Sequence, residues 1–294
     1  MKSSVQIEDI QLYFEKKGDG PPVLMIPGLG AGTWLWEKNR AALAQNFELI
    51  MPELRGSGRS DKPDYRYSIT RFAHDLKALL EHLGIENVHV LGASLGGFVA
   101  QYLAAHWPEK VISLVLISTS LGGEHQTGPN GDVLSRMIRP RGRTKKERLE
   151  EGYVFSFTEK YIQTHTLDLE RITEWRTQFP QPEFAYYRQL LAGNAYDGAN
   201  IAHKITAPTL ICAGESDPLV PMEDVILLHN ALPHAHLEIF AGRHLFFFEQ
   251  GQQFSKVVID FMKQNEKIKK KTENDTSCIS AIISGDAASS HLKR

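Results

Sequence analysis

The residues best placed to do chemistry form one short run, Gly92-Ala93-Ser94-Leu95-Gly96-Gly97. A strand is predicted directly before it, Val88 to Leu91, and a helix directly after it, Gly97 to His106. A serine on such a tight strand-to-helix turn has its hydroxyl lifted above the sheet. The small residues on either side let neighbouring backbones come close. The hydroxyl is a weak nucleophile until a base takes its proton. His244, in Ala241-Gly242-Arg243-His244-Leu245, follows the last predicted strand and is the candidate base. A base of this kind needs an acid to hold its tautomer and stabilise the imidazolium. Asp217, in Gly214-Glu215-Ser216-Asp217-Pro218, ends a strand and is favoured, with Glu215 as its rival. Asp224 reads as a charge at a helix start. Most other histidines fall on helices, strands or strand ends, while His125 and His165 in the 121–200 stretch read as solvated surface, with substrate contact the alternative.

Attack on a carbonyl builds an oxyanion, which two backbone N–H groups can hold. The Leu95 N–H follows the serine. The Leu29 N–H lies in Pro27-Gly28-Leu29-Gly30, directly after the short apolar strand Val23 to Ile26. Trp34, Leu245, Phe246, Phe155 and Trp175 are the candidates to line a substrate pocket, with core packing an equal alternative for each. Trp36 and Phe248 read as packing. Arg139, Arg141, Arg143, Lys145 and Lys146 offer attraction for an acidic substrate, a solvated charge run being the plainer reading.

Positioning these groups requires alternating strands and helices. An edge strand is expected at Gln11 to Lys16, a helix at Trp36 to Gln45 and a strand at Phe47 to Met51. Ile69 to Leu83 carries Phe72, Leu76, Leu79, Leu80 and Leu83 at spacings of three and four, which predicts an amphipathic helix ended by Gly84. Further strands are expected at Val111 to Ile117, Pro208 to Ala213 and His236 to Phe240, and a closing helix at Phe254 to Lys263. Such alternation implies an α/β fold with a mostly parallel sheet. The expected division is a core of residues 1–120 and 201–263, a helical cap inserted at 121–200, and a flexible C-terminal tail at 264–294. A helical subdomain packed elsewhere is the alternative for the insertion.

The chain has 294 residues and a formal net charge of -2, which gives no basis for nucleic-acid or anionic-membrane binding. It has two cysteines, Cys212 in an apolar run and Cys278 in the tail. No disulfide framework is expected, and a cytoplasmic location is the expectation. The first ten residues lack a signal-like apolar stretch, and no segment reaches the roughly 20 apolar residues that span a bilayer. The 12 histidines show no short-spaced metal pattern, so neither metal nor other cofactor is expected. The expected partner is a small-molecule substrate, and the protein is expected to be a monomer or homodimer.

These motifs resemble the α/β-hydrolase superfamily, particularly its small esterase, enol-lactonase and carbon–carbon-bond hydrolase members. The resemblance covers about residues 10–263. It rests on Pro27-Gly28-Leu29-Gly30 with Trp36, Arg55-Gly56-Ser57-Gly58-Arg59-Ser60, the turn around Ser94, and the Asp217 and His244 loops. It implies the α/β-hydrolase fold, with an eight-stranded sheet and a lid of about four helices. Two departures stand out. Relatives often have His-Gly where this chain has Pro27-Gly28, and usually Asp at the position of Glu53, which looks structural. Members with an aspartate nucleophile act on halides or epoxides, whereas Ser94 implies acyl transfer. The function expected is cleavage of a small or medium, largely apolar ester or lactone through an acyl-enzyme. A carbon–carbon hydrolase, a slow-turnover receptor that keeps the triad, and an inactive scaffold are the alternatives.

Overall fold

A computed structural model describes residues 1–138 and 144–267. Arg139, Arg141, Arg143, Cys278 and the expected tail beyond residue 267 lie outside the described residues. Among the described residues eight strands form one sheet: β1 (Lys2–Ile7), β2 (Ile10–Lys17), β3 (Pro22–Ile26), β4 (Glu48–Pro52), β5 (Val88–Ala93), β6 (Val111–Ile117), β7 (Thr209–Gly214) and β8 (His236–Phe240). Their spatial order is β1-β2-β4-β3-β5-β6-β7-β8. Strands β3 to β8 are mutually parallel, while β2 runs antiparallel to β4 and to β1.

Both faces of the parallel sheet are buried, as crossover helices require. Successive residues along a strand point to opposite faces. Thus Leu114 and Leu116 of β6 join the hydrophobic cluster on one face, and Val115 and Ile117 the cluster on the other. Helix α2 (Ile69–His82) covers the first face with Phe72, Leu76, Leu79 and Leu80, one turn apart. Its first turn is capped by Ser68 Oγ, which accepts from the Arg71 N–H at 3.1 Å. Each fully buried side chain of this size contributes about 1.5–3 kcal/mol. Helices α3 (Leu95–His106) and α9 (Met222–Ala231) pack on the same face. The opposite face takes α1 (Arg40–Leu43), α10 (Phe246–Glu249) and a helix α11 over residues 251–267.

Three expectations need correction. The strand at 11–16 is not the edge: β1 lies outside it, with Val5 opposite Leu12 and Ile7 opposite Ile10. The helix expected from Trp36 to Gln45 is broken into a 3-10 turn (Thr33–Trp36) and the single turn of α1. Trp36 is drawn into the core against Phe247, which diverts the chain before a continuous helix can form. The final helix runs to residue 267, beyond the boundary of 263.

Among the described residues five α-helices lie between β6 and β7: α4 (Gly131–Ile138), α5 (Lys145–Ser156), α6 (Glu159–Thr164), α7 (Thr166–Gln178) and α8 (Glu183–Asn194). The resemblance implied about four. This excursion leaves and rejoins the sheet through a narrow neck. The Gly123 N–H donates to Tyr196 O at 2.9 Å, and the Gly198 N–H to Leu121 O at 2.8 Å.

Candidate active site

In a parallel sheet the loops that follow the strands gather at one edge. Here that edge carries the segment after β3 (Pro27 to Gly30), Ser94 after β5, Ser118 and Thr119 after β6, Asp217 after β7 and His244 after β8.

Ser94 has φ +53° and ψ −119°, a backbone region that costs a non-glycine residue about 1–3 kcal/mol. The turn persists because its surroundings demand it. The Ser94 N–H donates to Ile117 O at 2.9 Å, and the Ser94 carbonyl accepts from Thr119 Oγ1 at 3.0 Å. A side chain at Gly92 would run into the Gly96 carbonyl and Ala100, and one at Gly96 into the Ile26 carbonyl. Both glycines are therefore conditions for the sharp bend.

His244 and Asp217 are buried and joined, Nδ1 to Oδ2, at 2.7 Å. The carboxylate accepts, so Nδ1 carries the proton and Nε2 is the free basic nitrogen. The other carboxylate oxygen accepts from the Leu219 N–H at 2.8 Å and the Val220 N–H at 3.1 Å. Asp217 is thereby held from both sides. Glu215 is exposed, and the carboxylate bonded to His244 is that of Asp217. Ser118 Oγ donates to the His244 carbonyl at 2.7 Å, and the Ser118 N–H to Cys212 O at 2.9 Å. The base loop is thus tied to the end of β6, the same strand end that anchors Ser94. Among the described residues the Ser94 hydroxyl makes no hydrogen bond, to His244 included. Contacts of this kind are often long before substrate binds.

The β3 loop packs directly on the serine. A Cβ placed on Gly28 would lie 3.2 Å from Ser94 Cβ and 3.8 Å from its Oγ. The N–H groups of Leu29 and Leu95 have no acceptor among the described residues, Leu95 being the first residue of α3. Two uncommitted donors therefore flank the hydroxyl.

Gln189, which the sequence did not single out, fixes this loop. It is fully buried on α8; its Oε1 accepts from the Gly30 N–H at 3.0 Å and from Gln181 Nε2 at 3.0 Å. Its Nε2 donates to Arg55 O and Ser57 Oγ, both at 2.8 Å. The available signal was its place on one helical stripe with buried Ala185 and Ala192, where an amide is out of pattern. Glu53 supports the same loop from below. It is buried, accepts from the Thr33 N–H at 3.2 Å and pairs with Arg59 at 2.5 Å. Asp224 does more than begin a helix: its carboxylate accepts from the Thr127 and Gly128 N–H groups at 2.6 and 2.8 Å.

The pocket candidates divide. Trp34 and Trp175 keep some exposure and face each other at 6.2 Å between ring centroids, beside the β3 loop. Leu245 is buried; its N–H donates to Ser156 O at 2.8 Å, which brings the end of α5, with buried Phe155, to the base loop. Phe246 is a correction. It has no exposed surface and stacks on Phe240 at 4.8 Å, because α10 turns it into the core. Trp36 and Phe248 are buried as packing residues.

Among the described residues, no cluster of His, Cys, Asp and Glu has an arrangement suited to a metal ion, and no helix is long and apolar enough to cross a membrane.

Known proteins share this framework. A poly(3-hydroxyalkanoate) depolymerase from Ectopseudomonas oleovorans is 29% identical over 246 residues, covering 84% of this chain and 86% of that protein. The 3-oxoadipate enol-lactonase 2 of Acinetobacter baylyi is 27% identical, covering 90% of this chain and 97% of its own. The solved esterase from Exiguobacterium antarcticum superposes with a TM-score of 0.81 at 24% identity, covering 90% of this chain and all (100%) of that one, a likeness of fold. The family defined by the alpha/beta hydrolase fold matches residues 21–250, and the chain belongs to it.

Proposed function

We propose that the protein is a serine hydrolase that cleaves a small or medium, largely apolar ester or lactone through an acyl-enzyme. The observation that carries this reading is the buried His244–Asp217 hydrogen bond at the sheet edge where Ser94 sits in a strained turn. Ser94 Oγ attacks the carbonyl while His244 Nε2 takes its proton. The negative charge on the former carbonyl oxygen is held by the Leu29 and Leu95 N–H groups. The tetrahedral adduct collapses as His244 gives the proton to the leaving alkoxide. Water, deprotonated by His244, then attacks the acyl-enzyme, and the proton returns to Ser94. Residues 121–200 act as a cap that carries Phe155 and Trp175 toward the reacting groups. The relatives named as a depolymerase and an enol-lactonase support ester or lactone cleavage.

The test is steady-state turnover of a chain-length series of esters and lactones, with Ser94→Ala as control. Multiple turnovers that vanish in the variant uphold the reading. A single burst that ends in a stable adduct, or equal turnover by the variant, overturns it.

A further inference from the structure

Three residues around the base bond to three alternate residues where α5 passes into α6. The Arg243 guanidinium donates to Val154 O, the Leu245 N–H donates to Ser156 O at 2.8 Å, and Glu249 holds Thr158. One carboxylate makes the last contact twice. Glu249 Oε1 accepts from the Thr158 N–H at 2.6 Å, and Oε2 from Thr158 Oγ1 at 2.8 Å. Hydrogen bonds to an ionised acceptor are roughly twice as strong as those between neutral groups. The grip extends into α6, because Thr158 Oγ1 accepts in turn from the Tyr161 N–H at 3.2 Å. Between the bonded residues Phe157 is buried against Phe248, with ring centroids 5.7 Å apart. The α5–α6 junction therefore cannot slide along the base loop without breaking both a charged contact and a packed one.

The middle bond acts on the peptide unit that leaves His244. The His244 carbonyl and the Leu245 N–H belong to that one planar group. Its oxygen accepts from Ser118 Oγ at 2.7 Å, and its N–H donates to Ser156 O at 2.8 Å. One side of the plane is set from the end of β6 and the other from the end of α5. Holding both fixes the backbone from which the imidazole projects. Glu249 closes α10, the single turn that follows Leu245, and its N–H donates to Leu245 O at 3.2 Å. The carboxylate and the base loop are thus one piece, and Thr158 and Ser156, two residues apart, are another.

We propose that Glu249 is a positioning residue for His244: by gripping Thr158 it keeps Ser156 O on the Leu245 N–H, and so orients the base. This rests on the hydrolytic reading above and deepens it. The helices between β6 and β7 then help to aim the imidazole as well as to enclose the substrate.

The test measures kcat and KM on p-nitrophenyl butyrate for the wild type, Glu249→Ala, Glu249→Gln and Leu79→Ala, and repeats Glu249→Ala in a His244→Ala background. Glu249→Ala is expected to lower kcat about tenfold to a hundredfold, with KM within about twofold. Glu249→Gln keeps an acceptor for the Thr158 N–H and should recover most of the rate. Leu79→Ala weakens the core under α2 and should keep kcat, which separates lost position from lost stability. In the His244→Ala background the Glu249 change should cost nothing further, because residues that act through one group are not additive. A raised KM at unchanged kcat, or an equal loss with and without His244, overturns the proposal and leaves the hydrolytic reading standing. If the wild type cleaves no ester and a fluorophosphonate does not label Ser94, the hydrolytic reading fails. NMR then decides the positioning alone, through the His244 Nδ1–H proton, identified by its loss in His244→Ala. Exchange of that proton with water that is faster in Glu249→Ala than in Glu249→Gln and Leu79→Ala upholds the proposal, and equal exchange in all three overturns it. If Glu249→Ala does not fold, Thr158→Val, which removes one of the two bonds, replaces it in every arm, with a smaller loss expected.

Discussion

The loops at the sheet edge and the helices between β6 and β7 are built on different rules. At the edge, hydrogen bonds to backbone groups do the positioning: Ser94 is pinned by the Ile117 carbonyl and the Thr119 hydroxyl, His244 by the Ser118 hydroxyl, and Asp217 by two amides. The anchors of Ser94 and His244 lie at or directly after the end of β6, in a sheet buried on both faces, so little can shift there without disturbing the core. The helical segment instead presents half-exposed rings and polar groups such as Trp175, Gln181 and Tyr186. The contrast teaches where rate and choice reside. The proposed chemistry belongs to the rigid edge, and the proposed selection of substrate to the helices, with Gln189 a buried link between them.

Removing the reacting group should give the largest effect. Ser94→Ala is expected to lower kcat by about 10⁴–10⁶-fold while leaving the thermal midpoint near that of the wild type. Near-normal turnover of a nitrophenyl ester by this variant would show that the edge does not hold the nucleophile. Next comes Asp217→Asn, expected to cost about 10⁴-fold in kcat. Glu215→Gln, two residues away and exposed, should stay within about twofold of wild type. Equal losses in the two variants would undo the assignment of the acid.

The link between the two regions is tested by Gln189→Met, which keeps the volume but releases the Gly30 N–H. A loss of about tenfold or more in kcat is expected, with KM moving less, and with slower labelling of Ser94 by a fluorophosphonate. Equal change in both constants would mean that Gln189 serves binding rather than the donor loop. The smallest effect separates two phenylalanines. Phe155→Ala should alter chain-length preference by less than about tenfold. Phe246→Ala should instead lower stability by about 3–5 kcal/mol and leave that preference alone, as denaturant titration and the ester series would show.

Much of the framework could be read from residue pattern. β6 (Val111–Ile117) and β8 (His236–Phe240) fall where they were expected, and α2 ends within one residue of its expected limit. These are segments whose local signal and burial agree. β1 was missed because Lys2, Ser3 and Ser4 dilute an alternation that only Val5 and Ile7 carry. The helix after Trp36 failed because a distant partner, Phe247, decides where that indole goes. The turn around Ser94 and the loops of Asp217 and His244 were legible because each follows a strand end. The roles of Gln189 and Phe246 were not. Both depend on which way a helix rolls against the rest of the chain, a tertiary outcome that spacing alone leaves undetermined.

The neck at residues 121–123 and 196–198 has a wider implication. Because the excursion begins and ends on adjoining backbone, its contents can lengthen, shorten or be exchanged without altering a single rung of the ladder between β6 and β7. A lineage built on this plan can acquire a new diet by rewriting one contiguous stretch of gene. Whatever is grafted there must still supply an oxygen for the amide of Gly30 and another for that of Leu245.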